Sequence, residues 1–173
     1  MIPGPGPGAD GGKTQGEPMA GEHGREQRSG AQRACAAIRE ATTREPYALR
    51  MGIRCLEVAP GYCRVEMTPS RDMTNLFGMI HGGALFSLID EAFQVACNSH
   101  GVTAFALNLS VTYVRAAAAG ERLVAEAREV ALTRRTATYH IQVTRDGGEV
   151  VAAAQALAYR RGGPPPFLED PGD

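Results

Sequence analysis

The sequence predicts an α+β domain in which an antiparallel sheet is covered by one long helix. Four strand-like runs follow one another between residues 103 and 160, and strands joined by such short turns pair as antiparallel hairpins. A long amphipathic segment, residues 81–101, precedes them. Because one face of a sheet and one stripe of a helix are apolar, the two bury each other.

Length and charge narrow the classes of protein. The chain has 173 residues and a formal net charge of -1, which fits one domain with a core of its own. Near-neutral charge gives no reason to expect nucleic acid or an anionic membrane as partner. No apolar run approaches the ~18–20 residues of a membrane span, and the N-terminus does not resemble a secretory signal. We therefore expect a cytoplasmic protein.

The two ends of the chain differ in composition from its middle. Residues 1–30 contain nine glycines and four prolines, and such a segment buries too little apolar surface to offset its ordering entropy. Residues 162–173, GGPPPFLEDPGD, are similar. We expect a disordered tail over 1–30, a domain over 31–161 and a flexible tail over 162–173.

The first half of this domain is predicted to be a helix followed by a hairpin. Ala34, Ile38 and Ala41 have helical spacing in GAQRACAAIREATTREPY, and Pro46 stops that helix. Residues 48–70 read as two alternating runs with Pro60-Gly61 at the bend. The four cysteines form no C-x-x-C pair, so we expect buried thiols rather than a zinc site or disulfides.

The second half supplies the long helix and four strands. The apolar residues of the helix follow the i, i+3, i+4, i+7 rule: Leu85, Leu88, Ile89, Ala92, Phe93 and Ala96. Asn98 and Gly101 suit its C-terminal end. The strands are expected at about 103–115, 121–132, 135–146 and 149–160, the third of which alternates clearly in TYHIQVTR.

Two glycines follow a histidine where the long helix begins, in His81-Gly82-Gly83. The first N–H groups of a helix have no internal partner and carry partial positive charge, and glycine lets a ligand approach the backbone. A free N–H aimed at a carbonyl oxygen can serve as an oxyanion hole. The alternative is that the glycines only permit a sharp turn into the helix.

Two acids lie on the polar side of this helix. Asp90 follows Gly82 by eight residues, about 12 Å along the axis, so the two cannot serve one carbonyl within one chain unless the substrate spans that gap. If two subunits set their helices side by side and antiparallel, Asp90 of one would face the Gly82 end of the other. Alternatively, Asp90 is a solvated acid, and we interpret Glu91 in that way.

Two polar residues come just before the helix. Asn75 could orient a water or a thioester, although asparagine is also common in ordinary turns. His81 could polarise a carbonyl, but a lone histidine more often braces its loop, and we favour bracing.

The motif N-x5-HGG-x-LFSL-x-D-x-AF-x3-CNS-x-G, from Asn75 to Gly101, resembles the hotdog-fold acyl-CoA thioesterases, specifically the phenylacetate-pathway (PaaI-type) group. The resemblance extends over residues 34–161. It implies a hotdog fold, in which an antiparallel sheet wraps around a long central helix. It also implies a homodimer or homotetramer with active sites at the subunit interface, and no metal or redox cofactor.

The resemblance also implies roles for individual residues. Asp90 matches the catalytic carboxylate, as general base or nucleophile, and Gly82 matches the N–H that binds the thioester oxygen. Asn75 matches the residue that orients water or substrate, and His81 the histidine that supports the loop. For the phosphates of coenzyme A the chain offers basic and polar residues, which are Tyr113, Arg134, Arg135, Thr136 and Arg160.

The sequence therefore predicts an acyl-CoA thioesterase, with aryl-acetyl-CoA such as phenylacetyl- or hydroxyphenylacetyl-CoA as the favoured substrate. A medium-chain fatty acyl-CoA remains open, because fold and motif do not fix the acyl group. A second class is a hotdog module that binds acyl-CoA without hydrolysing it. Asp90 argues against that class, because such a module needs no carboxylate at the helix centre. A hotdog dehydratase would need an Asp/His arrangement that the sequence lacks.

Overall fold

The computed structural model describes residues 20–146 and 148–168. The helices and strands lie in the order α1, α2, β1, β2, α3, β3, β4, β5, β6. Their bounds are α1 Ala20–Thr42, α2 Pro46–Met51, β1 Arg54–Ala59, β2 Tyr62–Met67, α3 Gly82–Asn98, β3 Ala104–Tyr113, β4 Leu123–Leu132, β5 Thr136–Arg145 and β6 Val150–Arg160. Two 3₁₀ turns, Arg71–Met73 and Pro166–Leu168, complete the list.

The six strands form one antiparallel sheet in the order β1-β2-β4-β5-β6-β3. Helix α3 packs against all six strands, as the α+β hotdog prediction requires. Its apolar side is buried, with Leu88, Ile89 and Phe93 fully inaccessible, and Phe93 meets Tyr139 of β5 edge to face. Burying one apolar stripe of the helix on one face of the sheet creates the core.

Helix α3 and the four C-terminal strands confirm the sequence predictions to within about three residues at each end. Helix α1 begins at Ala20, ten residues before the expected start, although its predicted end near Pro46 is close to the observed one. Residues 1–19 of the predicted N-terminal tail lie outside the described residues, as do residues 169–173 of the C-terminal one.

The prediction that the first strand run begins at residue 48 was wrong, because residues 46–51 form helix α2. Pro46 is placed at the first turn, where its missing N–H costs nothing, and Gly52 ends the helix with φ 68°. Pro46 therefore both ends the preceding helix and begins the next. The hairpin itself is confirmed, with Pro60-Gly61 between β1 and β2.

The chain does not leave the domain after β6. Residues 162–167, named the strap below, turn back at Gly162 and Gly163, whose φ values are 89° and 77°. Thr103 holds the strap through its N–H, which donates to Gly163 O at 2.9 Å, and its hydroxyl, which donates to Pro164 O at 2.9 Å. Composition alone did not predict these contacts, because proline and glycine are as common in tails as in fixed turns.

All four cysteines are free thiols. Cys63 and Cys97 are buried as predicted, whereas Cys35 and Cys55 are partly exposed. Within residues 20–146 and 148–168, no three His, Cys, Asp or Glu side chains converge as metal ligands would. The described helices also include none that is long and apolar enough to cross a bilayer.

Candidate active site

His81 caps the N-terminus of α3 and braces the loop before it. The ring Nδ1 of His81 accepts a hydrogen bond from the Gly83 N–H at 2.8 Å, and the backbone N–H of His81 donates to Met73 O at 2.9 Å. A Cβ on Gly83 would lie 3.0 Å from the His81 Nδ1, so glycine leaves room for the imidazole. The structure thus places His81 in the bracing position favoured from the sequence.

Gly82 presents an unpaired N–H at the start of α3. Among the described residues no group accepts from this N–H, while the Gly82 carbonyl accepts from the Tyr113 hydroxyl at 3.0 Å. A Cβ at this position would come within 3.1 Å of Tyr113 Cζ. Gly82 and Tyr113 line one cleft of about 330 Å³. The positive end of the helix dipole and a free donor therefore meet in a cleft, as binding an oxyanion requires.

Asn75 lines the same cleft and shapes its loop. Its Oδ1 accepts from Phe77 N–H at 2.9 Å and from Met79 N–H at 3.2 Å. This is the turn chemistry that the sequence offered as the alternative to a catalytic role. Because the amide oxygen already accepts two hydrogen bonds from the loop, the NH₂ group is the part of the Asn75 side chain that is free to contact a ligand.

Asp90 lines a second and larger cleft of about 610 Å³. Phe93 and Phe105 supply apolar walls, and Gln94 lies at its edge. Asp90 is half-buried, and this burial raises the pKa of its carboxyl, to which the nearby Glu45 carboxylate adds. A carboxylate with a raised pKa accepts a proton more readily, which suits a general base.

The two clefts are separate within one protomer. No described residue lines both, and Gly82 and Asp90 are two helical turns, about 12 Å, apart along α3. A single thioester carbonyl therefore cannot contact both groups of the same chain. This geometry agrees with the separation inferred from sequence spacing.

The buried position of Glu91 contradicts the sequence interpretation, which treated it as a solvated acid. Its side chain is 5% exposed, and burial together with the Glu45 charge raises its pKa to about 8. Gln94 Nε2 donates to Glu91 Oε2 and to Glu45 Oε2, both at 2.7 Å. Sequence reasoning placed Gln94 on the same polar side of α3 as Asp90 but missed Glu45 as a neighbour. The available signal was Pro46 with Gly52, which marks helix α2 and so a cover for this side of α3.

Four of the predicted CoA-binding residues lie at one corner of the sheet. Arg134 and Arg135 are exposed in the β4–β5 turn, where the hydroxyls of Thr136 and Thr133 are 2.9 Å apart. Arg160 Nη1 donates to Thr133 O at 2.8 Å, so part of its guanidinium braces this turn. The two exposed arginines are the groups with the most freedom to meet a phosphate.

Tyr113, the fifth predicted residue, lies at the other end of the sheet. Strands β3 and β6 pair Ala104 with Arg160 and Tyr113 with Ala152. Tyr113 follows Ala104 by nine residue steps along β3, which corresponds to about 30 Å. The structure therefore does not bring Tyr113 and the arginine corner together within one protomer.

The comparisons with known proteins agree on one family. Residues 77–152 match the Thioesterase superfamily. A protein from Archaeoglobus fulgidus, provisionally named an esterase, is 46% identical over 107 residues, which are 62% of this chain and 70% of that protein. Acyl-coenzyme A thioesterase PaaI from Escherichia coli is 34% identical over 113 residues, 65% of this chain and 81% of that protein.

Solved structures agree with these relatives. The E. coli PaaI protein from the phenylacetic acid degradation operon superposes with a TM-score of 0.73 at 31% identity, covering 80% of this chain and 98% of that one. A Streptococcus mutans protein solved with acetyl CoA superposes with a TM-score of 0.63 at 25% identity, covering 65% and 91%. The chain belongs to the Thioesterase superfamily and is a hotdog-fold hydrolase that acts on thioesters.

Proposed function

We propose that the protein hydrolyses acyl-CoA to a free acid and coenzyme A, with phenylacetyl- or hydroxyphenylacetyl-CoA as the preferred substrates. The E. coli relative PaaI supports this choice, both by its thioesterase name and by the phenylacetic acid degradation operon from which it comes. The observation that carries the proposal is the pair of incomplete clefts on α3, one with a free N–H and one with a half-buried carboxylate.

The proposed active site is shared by two subunits. In a homodimer with antiparallel α3 helices, Asp90 of one protomer faces Gly82 of the partner subunit across one thioester. Each dimer then holds two sites, and a homotetramer holds four. Separation of the two clefts within one chain supports this arrangement, because it leaves each protomer with two halves of different sites.

The proposed chemistry is attack of water on the thioester carbonyl. Asp90 takes a proton as water oxygen bonds to the carbonyl carbon, and the Gly82 N–H of the other protomer stabilises the oxyanion. The C–S bond then breaks, and the proton held by Asp90 passes to the departing thiolate. General-base catalysis of this kind raises the reaction rate by a factor of about 10²–10⁴, and one oxyanion donor raises it by a factor of about 10²–10³. Asp90 acting as a nucleophile would use the same position.

The coenzyme A part would then contact polar and basic groups of both subunits. Tyr113 lines the Gly82 cleft, while Arg134 and Arg135 extend from the far corner of the sheet. We propose that the arginines bind the phosphates, with Thr136 and Arg160 holding their turn. This division follows from the distance between the two groups of residues.

Water is the only co-reactant of the proposed hydrolysis, so we propose that neither a metal nor a redox cofactor takes part. We also propose a cytoplasmic location. The four free thiols support this location, because the cytoplasm is a reducing compartment in which disulfides do not persist.

The test is hydrolysis of phenylacetyl-, hexanoyl- and palmitoyl-CoA by wild type and by Asp90→Asn. Loss of thioester absorbance is followed directly, because the cysteines would react with a thiol dye. We expect turnover by wild type, fastest on phenylacetyl-CoA, and a loss of about 10²-fold or more in Asp90→Asn with an unchanged oligomer. Binding of acyl-CoA without hydrolysis by wild type would instead identify a binding module.

A further inference from the structure

The cleft beside Asp90 is closed on one side by the strap, the segment GGPPPF at residues 162–167. This segment lies outside residues 77–152, which match the superfamily. We propose that the strap is the end wall of the acyl pocket and that Phe167 limits the size of the acyl group. The inference rests on the proposed function, because it takes Asp90 as the group beside the reacting carbonyl.

The chemistry of the substrate assigns its acyl part to this cleft. Coenzyme A carries the phosphates and needs solvent and cations, whereas an aryl or alkyl group gains by leaving water. Of the two clefts on α3, the one at Asp90 is larger, at about 610 Å³ against about 330 Å³. Its size lies within the range usual for small-molecule pockets. Phe93, Phe105 and Phe167 give it apolar walls.

The sequence of the strap suits an apolar wall. Gly162 and Gly163 have positive φ, which lets the chain reverse after β6 and cross back over the cleft. Three consecutive prolines follow, and Pro165 is buried. Proline has no N–H and a fixed φ, so this stretch lines a cavity without leaving a buried donor unpaired.

The strap is fixed at both ends. At the start of the strap, the backbone carbonyl of Thr103 accepts from the Arg161 N–H, and the backbone N–H of Thr103 donates to Gly163 O, both at 2.9 Å. The Thr103 hydroxyl donates to Pro164 O. At its end, the turn Pro166–Leu168 contacts α1, and Phe167 packs against the hydrophobic core. A wall held in this way keeps its position when a substrate enters, as size selection requires.

The opposite wall is held just as firmly. Asn98, near the C-terminus of α3, donates from Nδ2 to Ala104 O at 3.1 Å and accepts at Oδ1 from Ala104 N–H at 2.9 Å. This paired contact fixes the end of α3 to the first residue of β3, and both residues line the cleft. The pocket therefore has little freedom to lengthen without a change in the strap.

The test measures kcat/KM for acetyl-, phenylacetyl- and decanoyl-CoA in three variants, and its main readout is the ratio of the value for decanoyl-CoA to that for phenylacetyl-CoA. Phe167→Ala removes the end wall, so we expect the ratio to rise about tenfold or more. Phe167→Trp fills the pocket, so we expect phenylacetyl-CoA hydrolysis to fall relative to acetyl-CoA hydrolysis. Leu168→Ala is the matched control, because Leu168 lies in the same turn but not on the cleft, and it should keep the wild-type ratio.

The possible results separate the two proposals. If wild type hydrolyses no acyl-CoA, the proposed function fails. If wild type is active but both Phe167 variants keep the wild-type acyl preference, the strap is not the wall and this inference is overturned. A shift in Leu168→Ala equal to that in Phe167→Ala would also overturn it, because the effect would then come from the turn as a whole.

Discussion

The start of helix α3, at Gly82, and its middle, at Asp90, differ in their surroundings. At Gly82 the backbone itself faces a small cleft, and the surrounding loop exposes Leu76 fully and Phe77 by 83%. At Asp90 a side chain faces a larger cleft, which the strap, the start of β3 and the second half of α3 line. The start of the helix thus offers a free donor without a carboxylate, and its middle a carboxylate without a free backbone donor.

This difference shows why the proposed site draws on two places along the helix. Free N–H groups and the positive end of the helix dipole exist only at a helix N-terminus, whereas the burial that raises the pKa of a carboxyl is found along the middle of the helix. The two groups therefore cannot meet at one place on one helix. In the proposed dimer a second copy of the same helix would bring them together, and the following predictions test each half in turn.

The largest expected effect comes from removing the donor at Gly82. Gly82→Pro deletes the N–H, and proline is accepted there because Gly82 is the first residue of α3 and His81 has the extended backbone that precedes proline. Gly82→Ala adds the same Cβ near Tyr113 but keeps the N–H. We expect kcat of Gly82→Pro to fall about 10²–10³ below that of Gly82→Ala. Equal rates would show that this N–H binds no oxyanion.

Mixing two inactive variants tests whether the halves belong to different chains. Asp90→Asn and Gly82→Pro are expressed together in equal amounts, and the acyl-CoA hydrolysis rate of the mixture is measured. A shared site predicts recovery to about one quarter of the wild-type rate, because a quarter of the sites draw both halves from unaltered positions. Replacing one partner by the double variant must abolish the recovery. Absence of recovery in the first mixture would place the whole site in one chain.

A smaller effect is expected on stability, at Glu91, the buried acid next to Asp90. Burial raises the pKa of Glu91 from its usual 4.5 to about 8, so between these values the unfolded chain releases a proton that the folded chain keeps. The free energy of unfolding therefore falls as pH rises through that window. Glu91→Gln removes the titration and still accepts from Gln94. We expect its Tm to exceed that of wild type by roughly 5 °C at pH 8 and to match it near pH 4.

The smallest expected effect is a shift in the pH dependence of activity. The Glu45 carboxylate helps to raise the pKa of Asp90, and a general base must be unprotonated to act. Glu45→Gln lowers that pKa, so the acidic limb of the kcat/KM profile should move to lower pH. Glu40→Gln, an exposed glutamate on α1, is the matched control and should leave the limb in place. An equal shift in both variants would mean that Glu45 has no special relation to Asp90.

Periodicity and motif spacing predicted much of this fold and the candidate site residues. Leu88, Ile89 and Phe93 define the buried side of α3 by spacing alone, and the turns between strand-like runs located the strands, of which β5 alternates clearly. The burial of Glu91 could not be predicted in the same way. It depends on Glu45, which is distant in sequence and reaches Gln94 only because α2 packs over α3. The strap was missed for a similar reason, since Thr103 and α1, which hold it in place, are distant from it in sequence.

The order of the strands has a further consequence for the isolated protomer. Strands β1 and β3 are the two edges of the sheet, and their sequences differ. Strand β1 carries Arg54 and Glu57, whereas the ten residues of β3 include no charge and expose Phe105 and Leu107. An open, uncharged, apolar edge is a template for any other unpaired strand. An isolated protomer is therefore open to aggregation along its β3 edge.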